Sequence, residues 1–179
     1  MQENEGTTRG GTYWRRTGTP GAAPVVLIHG LGLTHTTWDS FVPDLGERHD
    51  VIQYDLVGHG RSGPPPAALS LRDFGNQVVE LLDELSVERA HLIGFSLGGM
   101  INRRVAIDHP ERVASLAILN SPHARGDDAQ AAVEARARSA RDQGAFSTFD
   151  AALKRWFTPQ YLETGTGPNL FATVENRNR

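Results

Sequence analysis

The chain of 179 residues carries 18 Lys+Arg against 21 Asp+Glu, a formal net charge of −3, with 39% hydrophobic and 22% charged residues. That near-neutral balance leaves no basic surplus to meet phosphates, which speaks against nucleic acid or an anionic membrane surface as a partner. Cysteine is absent, which excludes disulfides, thiolate chemistry and Cys-ligated metals.

The composition is that of one globular domain, with no internal repeat and no low-complexity tract. No apolar run approaches the ~20 residues that a bilayer span needs. The opening MQENEGTTRG lacks the apolar stretch of a secretory signal, so a cytoplasmic location is expected. Residues 1–11, polar and Gly-rich, are expected to fray as a flexible N-terminus. Gly11–Gly18 reads as a short edge strand, followed by a turn over Thr19–Pro24.

Pro24–Gly30 (PVVLIHG) is a continuous apolar run bounded by Pro and Gly, the pattern of a strand buried on both faces in a helix-covered parallel sheet. Asp50–Asp55, Ala90–Phe95 and Val113–Leu119 repeat it. Helical segments alternate with these strands. Trp38, Phe41, Val42 and Leu45 share one face of the first. Leu71, Phe74, Val78, Leu81, Leu82 and Leu85 form an amphipathic stripe in the second, opened by a capping-box pair, Ser70 and Asp73. The third begins at Ser96 and ends at Asp108, ahead of Pro110. Such alternation implies right-handed crossovers and a doubly wound, mostly parallel α/β sheet over residues 12–120. Without a parallel neighbour, Val113–Leu119 is expected to be an exposed apolar edge.

After Asn120 no strand is expected. Residues 121–167 read as two Ala- and Arg-bearing helices, the second opened by Ser147 and Asp150, carrying Phe149, Leu153, Trp156 and Phe157 on one face, and ended by Pro159. A last helix is expected from Pro168, with Leu170, Phe171 and Val174 on its apolar side.

Three short motifs carry chemistry. Gly94-Phe95-Ser96-Leu97-Gly98 is a G-x-S-x-G pattern where a buried strand turns into a helix. The serine projects from a strained turn, the glycines let neighbouring backbone pass close, and the following helix aims its amides at the same spot. His29-Gly30-Leu31-Gly32 ends the earlier strand. Acyl transfer needs two backbone N–H groups aimed at the developing oxyanion, and the amides of Leu31 and Leu97 are the candidates. His29 reads as an orienting histidine rather than a base. Asp55-Leu-Val-Gly58-His59-Gly60-Arg61-Ser62 reads as a tight loop that buttresses the site; the alternative makes His59 the base. No cluster suggests a metal or an organic cofactor.

The HGLG loop, the D-x-x-GHGRS loop and the GFSLGG elbow together resemble the α/β-hydrolase fold superfamily. The resemblance covers residues 12–120 as core, with 121–179 similar to the start of a helical cap. Lys154-Arg155-Trp156-Phe157-Thr158-Pro159 resembles the lid of the 3-oxoadipate enol-lactonase group. By resemblance, Ser96 is the nucleophile, Leu31 and Leu97 supply the oxyanion hole, and a small-molecule ester or lactone is the substrate. An acidic residue and then a histidine should follow on strands after the cap. None of the seven histidines (His29, His35, His49, His59, His91, His109, His123) holds such a position, and Asp127 and Asp128 read as helix caps. The chain therefore reads as an N-terminal portion of such an enzyme, nearly inactive alone.

Trp156 and Phe157, with Phe146 and Phe149, are candidates to line an acyl pocket or to pack the cap itself. Arg125, Arg136, Arg138 and Arg141 could meet a substrate carboxylate, though a solvated helix face is the stronger account of them. The same scaffold also resembles cofactor-free haloperoxidases and carbon–carbon bond hydrolases. A binding protein without catalysis is the remaining alternative.

Overall fold

The computed structural model describes residues 2–65, 68–144 and 149–164. Six strands form one sheet in the order β1-β2-β4-β3-β5-β6. They are β1 (Gln2–Thr7), β2 (Tyr13–Gly18), β3 (Pro24–Ile28), β4 (Asp50–Tyr54), β5 (Ala90–Phe95) and β6 (Val113–Leu119). β1 pairs antiparallel with β2, and β2 with β4; the β4-β3-β5-β6 part is parallel. Parallel neighbours require crossover connections, so the α/β class and the mostly parallel sheet follow from the alternation of apolar strands and amphipathic helices.

Each central parallel strand is buried on both faces because its alternate residues meet helices on opposite sides. Val26 and Ile28 of β3 join Ile52, Tyr54 and Leu92 in one core. That core is closed by Val78, Leu81 and Leu82 of helix α2 (Leu71–Glu84) and by Ile101 and Val105 of α3 (Leu97–Asp108). Val25 and Leu27 point the other way and pack with Val51, Trp38 and Val42. Val42 opens the short helix α1 (Val42–Gly46), and Trp38 closes a single turn over His35–Trp38. The one helix expected over Trp38–Leu45 is thus split, Pro43 supplying the first turn of its second half.

The N-terminus differs from expectation. Residues 2–7 form an outer strand rather than a frayed tail, and the segment expected at the edge, β2, lies inside the sheet. Tyr13 Oη donates to Glu5 Oε2 at 2.6 Å, and Arg61 donates to the same carboxylate at 3.2 Å, so polar side chains pin β1 where apolar ones are few. β6 is the opposite edge, as expected, and leaves Leu116, Ile118 and Leu119 exposed.

Beyond β6 come α4 (Asp127–Gln143), α5 (Phe149–Trp156) and α6 (Pro159–Glu163). Pro159 does not simply end a helix: α5 stops at Trp156 and Pro159 sits in the first turn of α6, capped by Thr158, whose hydroxyl accepts from Tyr161 N–H. The expected cap residue Ser147, Phe146 and the helix expected from Pro168 lie outside the described residues. Among the described residues, no helix is long and apolar enough to cross a membrane.

Candidate active site

β5 ends at Phe95, and the chain reverses through Ser96 into α3 within one residue. Ser96 adopts φ 54° and ψ −110°, a region that residues with a side chain rarely enter. The surroundings over-determine it. Its N–H donates to Leu119 O at 2.9 Å, which ties the turn to the end of β6, and its carbonyl accepts from Gly99 N–H at 3.1 Å. A Cβ at Gly98 would collide with the carbonyl of Ile28, and one at Gly94 with the carbonyl of Gly98. The two glycines of the motif therefore exist because strand β3, the turn and the first turn of α3 share one small volume. The amides of Leu97 and Gly98 open the first turn of α3 and face its N-terminal side.

The loop after β3 lies against this turn. An atom added at the Cα of Gly30 would sit 3.4 Å from Ser96 Cβ and 3.1 Å from the Phe95 ring. The Gly30 carbonyl accepts from Leu33 N–H, and Gly32 takes φ +75°, which closes a tight turn with Leu31 at its exposed tip. His29 anchors the base of that loop and is fully buried. Its Nε2 accepts from Leu56 N–H at 3.0 Å, so Nδ1 carries the proton and donates to Gly30 O at 2.8 Å. Burial pushes its pKa well below the ordinary histidine value. Both ring nitrogens are engaged, which fits an orienting histidine.

Asp55 clamps the same loop from the far side and is wholly buried. Its carboxylate accepts from His35 N–H at 2.7 Å, His35 Nδ1 at 2.8 Å and Arg61 N–H at 2.7 Å. Burial alone would raise its pKa; these hydrogen bonds from His35 and Arg61 outweigh burial and hold it below the usual value. His59, on the same Gly-rich loop, packs edge-on against His29 with ring centroids 5.3 Å apart and is likewise shifted down by burial. The D-x-x-GHGRS motif thus joins the two loops. Among the described residues, Ser96 has no hydrogen bond to a histidine.

A cleft of about 490 Å³ opens beside Phe95, lined by Leu33, Thr37, Phe95, Asn120, Arg155, Trp156 and Phe157. Its size and largely apolar wall suit a small organic ligand. Trp156 packs edge-on against Phe95 with centroids 6.4 Å apart, and Phe157 stacks on Tyr161 at 4.9 Å. Leu153 and Leu33 are buried together, with Phe95, Phe157 and Leu162 against them, so α5 and α6 rest on the β3 loop and on the end of β5. Of the four arginines singled out from sequence, none lines the cleft. Arg138 reaches Glu134 on its own helix at 3.9 Å, and α4 has no buried residue. The arginine at the cleft is Arg155, which the sequence presents as part of a lid motif rather than as an isolated charge. Asn120 and Thr37 escape sequence reasoning as well. Asn120 follows the carboxyl end of a parallel strand, where open α/β sheets place ligands, and that position is the available signal.

The comparisons agree with this geometry. Residues 23–164 match the family model described as alpha/beta hydrolase fold. The chain is 33% identical over 139 residues to 3-oxoadipate enol-lactonase 2 of Acinetobacter baylyi, covering 78% of this chain and 51% of that protein. It is 31% identical over 155 residues to (E)-2-((N-methylformamido)methylene)succinate hydrolase of the same species, covering 87% and 58%. The crystal structure of the enol-lactonase from Burkholderia xenovorans LB400 superposes with a TM-score of 0.81 at 28% identity, covering 94% of this chain and 67% of that one. The chain spans about half the length of the curated relatives it matches. With the elbow, the β3 loop and the mixed sheet all in place, this chain belongs to the α/β hydrolase fold family.

Proposed function

We propose that Ser96 is the nucleophile of a hydrolase that opens carboxylic esters or lactones through an acyl-enzyme. The observation that carries this is the strained Ser96 backbone, held at a strand–helix turn beside the β3 loop. Ser96 Oγ attacks the carbonyl carbon while its proton passes to an imidazole base. The tetrahedral oxyanion is held by the N–H groups of Leu31 and Leu97. Collapse expels the alkoxide, which takes the proton from the imidazolium, and water repeats the sequence on the acyl-enzyme. The histidines near the elbow do not serve as that base: His29 and His35 are buried in the loop clamp, and His59 packs on His29. Removing the base of such a triad costs about 10⁶ in turnover, so the 179-residue polypeptide by itself is expected to hydrolyse esters very slowly.

Helices α4–α6 act in this reading as a lid, with Trp156 and Phe157 against the apolar part of the substrate. Arg155 at the cleft favours a substrate that carries a carboxylate, a preference consistent with relatives named for an oxoadipate lactone and a succinate.

Boronic acids test this as an equilibrium, without waiting for a slow proton transfer. They form an anionic tetrahedral adduct with an accessible serine, which ¹¹B NMR detects. The expected result is one adduct, abolished in Ser96→Ala, with 3-carboxyphenylboronic acid bound more tightly than phenylboronic acid. Arg155→Ala should erase most of that preference, roughly tenfold for one charge-assisted contact. An adduct that survives in Ser96→Ala would overturn the nucleophile assignment; equal binding of the two acids would overturn the role of Arg155.

A further inference from the structure

A pair of histidines at the opposite end of the sheet has no part in this chemistry. His91 is the second residue of β5 and stands in register with Val25 of β3 and Ser115 of β6. His49 immediately precedes Asp50, which stands in register with Pro24 of β3. The two imidazoles thus meet across the start of β3, which lies between β4 and β5, edge to face, with ring centroids 6.2 Å apart and both partly open to solvent.

Each ring is held by its Nδ1. His49 Nδ1 lies 3.3 Å from Ala23 O, which can only accept, so the proton is on Nδ1 and the Nε2 lone pair is free. His91 Nδ1 lies 2.7 Å from Ser115 Oγ; with the proton on Nδ1, its Nε2 is free as well. Among the described residues neither Nε2 has a partner. A protein ligand that orients an imidazole through Nδ1–H and leaves Nε2 bare is the arrangement that metal-binding histidines use.

We propose that His49 and His91 form a two-histidine site for a borderline divalent transition cation of the zinc type, with water completing its coordination. Imidazole ligands select such ions over magnesium and calcium, which take oxygen. Two imidazoles on one tetrahedral ion at Zn–N distances of about 2.0–2.1 Å bring the ring centroids to roughly 5 Å, closer than the observed 6.2 Å, so binding requires the partly exposed rings to approach and to rotate both Nε2 atoms toward one point. No group of three or more His, Cys, Asp or Glu among the described residues is arranged to hold a metal, so the site is a two-point one, open and reversible. Bound there, the ion bridges the entrance of β4 to the entrance of β5, far along the strand from Ser96, which follows the last residue of β5.

Calorimetric titration of the 179-residue protein with zinc chloride at neutral pH tests this. One equivalent should bind, and magnesium chloride should give no heat. Because the second imidazole binds intramolecularly, His49→Ala and His91→Ala should each weaken zinc about a hundredfold. Ser115→Ala, which only orients His91, should weaken it about tenfold. His123→Ala should change nothing, and circular dichroism checks that every variant keeps its fold. The proposal is overturned if no zinc binds up to millimolar concentration, or if either single histidine variant keeps the parent affinity.

Discussion

At the scale of single residues, the site rests on strain at Ser96. A side chain held at φ 54°, ψ −110° costs on the order of 1–3 kcal/mol, which the contacts of the elbow offset. Ser96→Gly should therefore raise stability in urea by about 1 kcal/mol while removing the nucleophile, and Ser96→Ala should not raise it. Equal stability for the two variants would mean the turn is unstrained. Gly98→Ala is the converse: its methyl group meets the Ile28 carbonyl, and a loss of about 3 kcal/mol is expected. The buried histidines set the acid limit. His29 and His59 are held below the ordinary value by burial, so the unfolded chain binds protons below pH ~6.5 that the folded chain does not. Their contribution to stability is complete above that pH and falls below it, by about 1.4 kcal/mol per pH unit for each such proton. The depressed Asp55 adds a further loss at lower pH, as its carboxylate takes up a proton. Urea midpoints at pH 7.5 and pH 5 check this, and a flat profile would contradict it. The motif residues are legible in the sequence because each motif is local. Arg155 and Asn120 reach the cleft only through the packing of α5 and the end of β6, which no spacing along the chain records.

At the scale of elements, the legible ones are those whose burial pattern is continuous. β3, β4, β5 and α2 are readable nearly to their ends because both strand faces, or one helix stripe, are apolar. The start of α2 is readable for a different reason, the reciprocal bonds of Ser70 and Asp73, whose 2.7 Å and 3.4 Å contacts close both sides of the cap. Ser70→Ala should cost about 1 kcal/mol in denaturant unfolding, and Ser70→Asn, which keeps a capping oxygen, should cost less. β1 is illegible because its strand is stabilised by backbone pairing and by Glu5 with Tyr13 and Arg61 rather than by an apolar alternation. The split between α5 and α6 is hidden because a proline that stops one helix equally well starts the next.

At the scale of the whole molecule, one edge of the sheet is protected and the other is open. β1 is polar, whereas β6 presents Leu116, Ile118 and Leu119 to solvent along a parallel edge, with no strand among the described residues on its outer side. The 179-residue protein should therefore associate as its concentration rises, and Ile118→Lys should reduce that association in light scattering. A concentration-independent monomer would show that the edge is covered in solution. The central claim, covalent chemistry at Ser96, is tested most directly by prolonged incubation with p-nitrophenyl acetate followed by intact-mass and peptide mass spectrometry. In the proposed mechanism no histidine of the 179-residue polypeptide serves as the base, so an acyl group once transferred should persist. The result expected is acetyl on the Ser96 peptide, beside any background on the N-terminal amine and Lys154, and its loss from that peptide in Ser96→Ala; a Ser96 peptide that stays unmodified while those amines are acetylated would contradict it.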